Sequence, residues 1–249
     1  MGTPQSRIVI VRRPPATMPD GVDRELAHRQ WRGYVDALGD HGWLIVEADP
    51  VEHQPLGVFV GEVLAVVGRR ALTAADPDDE RRDEIRSAAQ TARALGLSVH
   101  EWEGEGRFDA SDVIDAGKAV YLGRSAGTDA EGLERAGALV RSWVPNGTTV
   151  VPVTGTARLS GAMSVLPDGT VVGDPARLDG FPFPGPFVEA PEPRGATVVP
   201  LDRKTVLVSA EAPLTAELLR ARGLQVVTVP IGEYERLGGT LATLSARIR

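Results

Sequence analysis

The sequence predicts an α/β fold: a closed ring of five strand–helix modules in a single unit. Three observations carry that prediction. Short runs rich in Val, Ile and Leu alternate with amphipathic helical stretches along the whole chain. The alternation repeats in five units of about 50 residues, a spacing at which propeller-like repeats show themselves. The first strand runs into Arg12-Arg13-Pro14-Pro15 rather than a glycine-rich turn, and no Walker loop follows. That argues against a doubly wound nucleotide-binding sheet.

The elements follow in order. Ile8-Val9-Ile10-Val11 reads as a strand, Glu25 to Leu38 as a helix, and Leu44-Ile45-Val46-Glu47 as the returning strand. Leu64-Ala65-Val66-Val67, a helix over Glu80 to Leu95 and Ser98-Val99-His100-Glu101 repeat the plan. So do Val120 to Gly123, Asp129 to Trp143 and Thr149 to Val153. Met163 to Val172 predicts a β-hairpin turning at Asp168-Gly169. Phe181 to Pro193 is proline-rich and predicts a loop or an abbreviated helix region. Val206 to Ser209, a helix over Thr215 to Arg222 and Gln225 to Pro230 close the series. In that last helix Leu214, Leu218 and Leu219 share one face of a 3.6-residue period. Gly42, Gly96 and Gly223 each stand where a helix gives way to a strand, as left-handed C-caps do. The charge run Asp76 to Arg82 reads as a solvated helix start with acids at its N-terminal end.

Composition excludes several function classes. The net charge of −7 repels phosphate backbones, so no nucleic-acid partner is expected. No apolar run approaches the ~18 residues that span a membrane. The start, Met1 to Arg7, lacks the apolar core of a signal peptide, so the expected location is the cytoplasm. Lys118 and Lys204 are the only lysines against many arginines, a bias that suggests a GC-rich bacterial genome. The chain has no cysteine, which removes disulfides, thiolate nucleophiles and cysteine metal sites. No Asp/Glu/His grouping has metal-ligand spacing, so neither a metal nor another cofactor is expected. The four tryptophans read as packing residues rather than a stacking platform.

A set of short motifs, in order and nearly end to end, carries a family resemblance. They are Val9-Ile10-Val11-Arg12-Arg13-Pro14, Ala27-His28-Arg29-Gln30, Val58-Phe59-Val60-Gly61-Glu62, Asp109-Ala110-Ser111-Asp112-Val113, Leu166-Pro167-Asp168-Gly169-Thr170-Val171 and Leu244-Ser245-Ala246-Arg247. With them the chain resembles the dimethylarginine dimethylaminohydrolases of the pentein, or guanidino-group-modifying, superfamily. The resemblance implies a five-bladed α/β propeller of ββαβ-type repeats, with residues 1–249 forming one pentein domain. It also implies a chemistry in which a thiolate attacks the guanidine carbon of methylated arginine, a histidine shuttles protons and carboxylates hold the guanidinium.

Carried over position by position, much of that machinery is replaced. Thr243 stands where the resemblance implies the cysteine, and Arg158, in Arg158-Leu159-Ser160-Gly161, where it implies the histidine. Phe59-Val60-Gly61-Glu62 has one carboxylate deleted and the other lengthened, while Asp109-Ala110-Ser111-Asp112 keeps both acids. Ala74 and Gly127 stand where arginines would grip a substrate carboxylate. His28, His41, His53 and His100 lie elsewhere.

These residues set the candidate site. Thr243 is either a hydroxyl nucleophile, with Ser245 as a second hydroxyl, or a β-branched residue of a closing strand. Arg158 is expected beside Glu62 and Asp112, filling the guanidinium position; the alternatives are an anion site or a turn to solvent. Glu62 and Asp112 either recognise a cationic ligand or balance Arg158. Asp23 is either a pocket-rim residue or the acid that starts the first helix. The expected function is a catalytically degenerate pentein that binds a small guanidino or amino-acid-like ligand. The other form of that reading is assembly, as a homodimer or as a heteromer with an active relative. The alternative is a hydrolase or lyase that acts on a guanidino compound without a thiol.

Overall fold

The structure, a computed structural model, describes residues 7–76, 80–145 and 147–249. Residues 1–6, on which the reading of the start rests, and 77–79 of the charge run lie outside the described residues.

In the first blade β1 (Ile8–Val11) leads through α1 (Arg24–Asp40) to β2 (Leu44–Glu47). The second blade opens on a short helix, α2 (Val60–Val63). It continues through β3 (Leu64–Val67), β4 (Arg70–Thr73), α3 (Arg82–Ala94) and β5 (Ser98–His100). The third holds β6 (Val113–Asp115), β7 (Val120–Arg124), α4 (Ala130–Trp143) and β8 (Thr148–Pro152). The fourth holds β9 (Met163–Val165), β10 (Val171–Gly173) and β11 (Phe187–Glu189). The fifth holds β12 (Val198–Pro200), β13 (Thr205–Ser209), α5 (Pro213–Ala221) and β14 (Gln225–Val229). After α6 (Gly232–Arg236), the last strand β15 (Ser245–Ile248) returns to pair with β1.

Each blade is a three-stranded sheet of one pattern: an edge strand antiparallel to the middle one, which is parallel to the third. β15 supplies the edge strand of the first blade, so the two ends of the described chain meet in one sheet and close the ring. This is the five-bladed α/β propeller expected.

The ring is held together between blades. Val9, Val11, Tyr34 and Leu38 of the first blade pack with Val199, Leu201 and Leu207 of the fifth. Ile10 and Ile248 pack on the other side with Val60, Val63 and Leu64 of the second. A fully buried aliphatic side chain of this kind contributes roughly 1.5–3 kcal/mol. Arg12 is also fully buried; it donates to the carbonyls of Asp49 at 3.1 Å, Gly57 at 2.7 Å and Glu84 at 2.8 Å. Burial lowers its pKa to about 10, so it remains charged at neutral pH.

Several expectations held and others need correction. Gly42, Gly96 and Gly223 have φ of +78°, +77° and +87°, as left-handed helix ends require. The hairpin forms with Gly169 at φ +89°. The stretch Phe181 to Pro193 is not all loop, because β11 pairs parallel to β10 within it. It replaces the helix that the other blades carry, and no apolar periodicity marks a three-residue strand. Leu214 does not belong to the buried face of α5: it is 55% exposed, while Thr215, Ala216 and Leu219 face inward. Among the described residues no helix is long and apolar enough to cross a membrane.

Candidate active site

The edge strands β3, β6, β9, β12 and β15 surround the ring axis, and the segments that enter them bring the candidate residues together. Glu62 lies in α2, two residues before β3. Asp109 and Asp112 flank the single turn that leads into β6. Arg158 starts the turn Leu159–Gly161 before β9. Thr243 lies in the turn that precedes β15. One face of the ring therefore collects residues far apart in the chain, as its repeat dictates.

Arg158 lies at the centre of this face. Its Nη1 is 2.8 Å from Glu62 Oε1 and its Nε is 3.0 Å from Asp109 Oδ2. Nη1 also donates to the Gly238 carbonyl at 3.2 Å. The side chain is 17% exposed, so it has not turned to solvent. The guanidinium spans two carboxylates from different blades, which is a strong charge-assisted arrangement. Burial alone would lower the pKa of Arg158, but Asp109 and Glu62 outweigh it and the net shift is upward.

Glu62 is 3% exposed and is held from its other oxygen too, with Oε2 2.9 Å from Arg81 Nη1. Arg81 continues to Glu84 Oε2 at 2.6 Å through Nη2. Burial pushes Glu62 up to about 7, against the pull of Arg158 and then Arg81. Asp112 has a different environment. Its Oδ2 accepts from Ser125 Oγ at 2.6 Å and Thr128 Oγ1 at 2.5 Å, and its Oδ1 accepts from the Leu159 amide at 2.7 Å. Desolvation and then the nearby Asp109 raise it to about 7 despite these bonds. A Cβ on Gly123 would collide with this carboxylate and with Leu159 Cβ, so that neighbour has to be glycine.

The structure thus brings Glu62, Asp112 and Arg158 together with one correction. Arg158 pairs with Asp109, not Asp112, whose oxygens are engaged by Ser125, Thr128 and the backbone. Asp109 and Arg81 are the site residues that sequence reasoning missed. Asp109 stood within the quoted Asp-Ala-Ser-Asp motif, so its signal was present. Arg81 was absorbed into the charge run as a solvated helix start. Its side chain instead reaches inward, and nothing in local charge order announces that.

Thr243 is fully buried and is not part of a strand. Its Oγ1 accepts from the Thr240 amide at 2.8 Å and donates to the Thr240 carbonyl at 3.0 Å, which makes it a turn-forming hydroxyl. Ser245 Oγ bonds Tyr34 Oη at 2.7 Å. Asp23 does not join the cluster: it is exposed, and its Oδ1 caps α1 by accepting from the Leu26 amide at 2.9 Å. Ala74 packs in the core between blades. Gly127 donates to the Ala157 carbonyl at 2.9 Å.

Gly61 has a physical reason to be glycine. Its amide donates to the Thr243 carbonyl at 2.9 Å, and a Cβ there would lie 2.7 Å from the Ala242 carbonyl oxygen and 2.9 Å from that of Ser245. Both obstacles are backbone. Gly61→Ala is therefore expected to destabilise by about 1–3 kcal/mol through overpacking. Urea denaturation would show it as a lower midpoint with an unchanged slope. By the same contact, a carboxylate cannot be placed at 61 without moving the turn that holds Thr243.

No family model matches the chain. It is 38% identical over 256 residues to the N(G),N(G)-dimethylarginine dimethylaminohydrolase of Streptomyces coelicolor, covering 98% of both chains. The dimethylarginine dimethylaminohydrolase of Pseudomonas aeruginosa, solved as a cysteine-to-serine mutant complexed with citrulline, superposes with a TM-score of 0.82. It is 23% identical, over 97% of this chain and 98% of that one. The N-terminal domain of ArgZ, a cyanobacterial arginine dihydrolase, also superposes at 0.82. It is 16% identical, over 97% of this chain and 98% of that domain. These two likenesses show the shared pentein fold. With the end-to-end match to the Streptomyces protein, the chain belongs to the dimethylarginine dimethylaminohydrolase family.

Proposed function

We propose that this chain is a catalytically degenerate member of its family, in which Arg158 fills the guanidinium position and the protein serves a binding or assembly role. The observation that carries this reading is the placement of the Arg158 guanidinium, 2.8 Å from Glu62 and 3.0 Å from Asp109. A side chain tethered there competes with any free guanidino ligand at very high effective concentration. The absence of cysteine closes the thiolate route. Thr243 cannot take it over, because its hydroxyl is used by Thr240 and arginine is no base at neutral pH.

Incubation with dimethylarginine or arginine tests this. No citrulline is expected to form above the rate in buffer. Citrulline formation that survives repurification and is lost in Asp112→Asn would contradict the reading.

A second reading, an enzyme on a related guanidino compound that works without a thiol, has one observation in its favour. Glu62 and Asp112 are both raised to about 7, the range that suits acid–base work. The same assay, extended to agmatine and other guanidino compounds with mass detection of products, separates the two. In the assembly form of the first reading the partner is a second copy of the chain or an active relative. That form predicts a stable oligomer in sedimentation.

A further inference from the structure

The edge strands β3, β6, β9, β12 and β15 begin at the carboxylate face and run away from it. The turns that lead from the first four into their middle strands therefore collect at the opposite end of the ring. In the remaining blade Ile248 of β15 pairs with Ile8 of β1, which places Arg7 and Arg249 at that end too. The helices α1, α3, α4 and α5 each run from a middle strand to the start of an outer one, so their C-termini point the same way.

Charge is divided between the two ends. The return turns carry Arg69 and Arg70, Lys118, and Arg203 with Lys204, all exposed, and Arg249 is exposed at the same end. Lys118 and Lys204 are the only lysines of the chain, and both fall in these turns. Among the described residues Lys118, Arg203 and Lys204 form no ion pair. The last turns of α3, α4 and α5 add Arg93, Arg141 and Arg220, while α1 alone ends in an acid, Asp40. The acids within the return turns build those turns. Asp115 accepts from the amides of Gly68 at 3.1 Å and Gly117 at 2.7 Å, and Asp168 from that of Thr170 at 2.9 Å. Asp202 accepts from the amides of Lys204 at 2.8 Å and Thr205 at 2.9 Å. At the carboxylate end acids start the helices instead: Asp23 and Asp129 cap α1 and α4, and Asp83 and Glu84 open α3. The 13 residues of α3 separate the two ends by about 20 Å. That exceeds the screening length of ~8 Å at physiological salt, so the basic end presents its own field, not the net charge of the protein.

We propose that this end of the ring docks on an anionic lipid surface, with Lys118, Arg203 and Lys204 against the headgroups and the Arg158 face turned to solvent. The cations stand on separate blades and do not gather around a pocket. Arg69 Nη2 donates to the carbonyls of Leu95 and Gly96, each at 3.2 Å, and Arg70 lies over the Trp143 ring at 6.0 Å. A rim of this kind does not close on a small anion, but it meets an extended anionic plane at several points. Leu44, 55% exposed, and Phe187, 36% exposed, start β2 and β11 at the same end. Basic side chains together with exposed apolar ones are the combination that holds peripheral proteins at a lipid interface. A nucleic-acid backbone instead follows a basic groove, and these cations encircle the axis. The docking surface is separate from the Arg158 cluster and does not depend on what that cluster does.

The test is co-sedimentation of the full chain with vesicles of phosphatidylcholine and phosphatidylglycerol in equal parts, against vesicles of phosphatidylcholine alone, at low and at moderate salt. Binding to the anionic vesicles that weakens with salt, and none to the neutral ones, is expected. Lys118→Ala and Lys204→Ala should each weaken it about fivefold, and the double variant more. Arg24→Ala removes the same charge from the start of α1 at the other end and should leave binding unchanged. All three side chains are exposed, so thermal melting of the variants should match wild type. The proposal is overturned if the chain stays in solution with anionic vesicles at low salt, or if neutral vesicles carry it down equally. It is equally overturned if Arg24→Ala weakens binding as much as the lysine variants do. Tighter binding to a short duplex DNA than to the anionic vesicles would also overturn it, because the rim would then belong to nucleic acid.

Discussion

Arg158→Ala is expected to lose about 3–5 kcal/mol of stability at pH 8, the range for removing one partner of a buried ion pair. The size follows from what remains. The buried Glu62 and the partly buried Asp109 meet on this one guanidinium, Glu62 at 2.8 Å and Asp109 at 3.0 Å. Without it Glu62 retains Arg81, while Asp109 retains its bonds from Ser111. A surface arginine of the same type would change stability by about 0.5 kcal/mol or less. Lowering the pH should shrink the loss, because a protonated Glu62 no longer needs a cation. Urea denaturation of wild type and variant at pH 5.5 and pH 8 reads both effects. A loss under about 0.5 kcal/mol at pH 8 would mean that Arg158 is an ordinary surface side chain.

The wild-type protein should itself lose stability as pH rises from about 5 to 8. Glu62 and Asp112 titrate near 7 when folded, against ordinary values of 4.5 and 3.8. A carboxyl raised in this way holds its proton more tightly in the folded state than in the unfolded chain. Its contribution is complete below the unfolded pKa and is lost as pH climbs through the folded one. Each group can supply a slope of up to about 1.4 kcal/mol per pH unit within that window. Asp112→Asn keeps an acceptor for the Leu159 amide and removes one titration. It should flatten the profile and be relatively most favourable at pH 8. A wild-type profile that rises from pH 5 to 8 would show that these two carboxyls are ionised throughout.

Much of the fold was legible because the ring repeats. Every strand–helix–strand unit carries the same switch of apolar period, and Gly42, Gly96 and Gly223 mark the helix ends with a conformation that only glycine adopts cheaply. The short strand Phe187–Glu189 was not legible, since three residues in a proline-rich stretch carry no periodicity. Leu214 misled for a related reason: leucine spacing alone does not fix a helix face, and Thr215 and Ala216 took the buried positions. The candidate site was readable as a set of residues but not as a set of pairs. Arg158 could be placed among acids from its motif, yet choosing Asp109 over Asp112 depends on Ser125 and Thr128. Those two hydroxyls reach Asp112 from beyond β7 and leave Asp109 to the guanidinium. Arg81 was invisible for the same reason, because its partner Glu62 lies in another part of the blade.

The most direct measurement is isothermal titration of methylguanidine into wild type and Arg158→Gly at pH 8. If Arg158 occupies the guanidinium position, wild type gives no binding heat. Arg158→Gly then binds one equivalent between Glu62 and Asp109, and bound ligand restores part of its lost stability. Methylguanidine binding to wild type as tightly as to Arg158→Gly would contradict the account, because the position would be open with Arg158 in place.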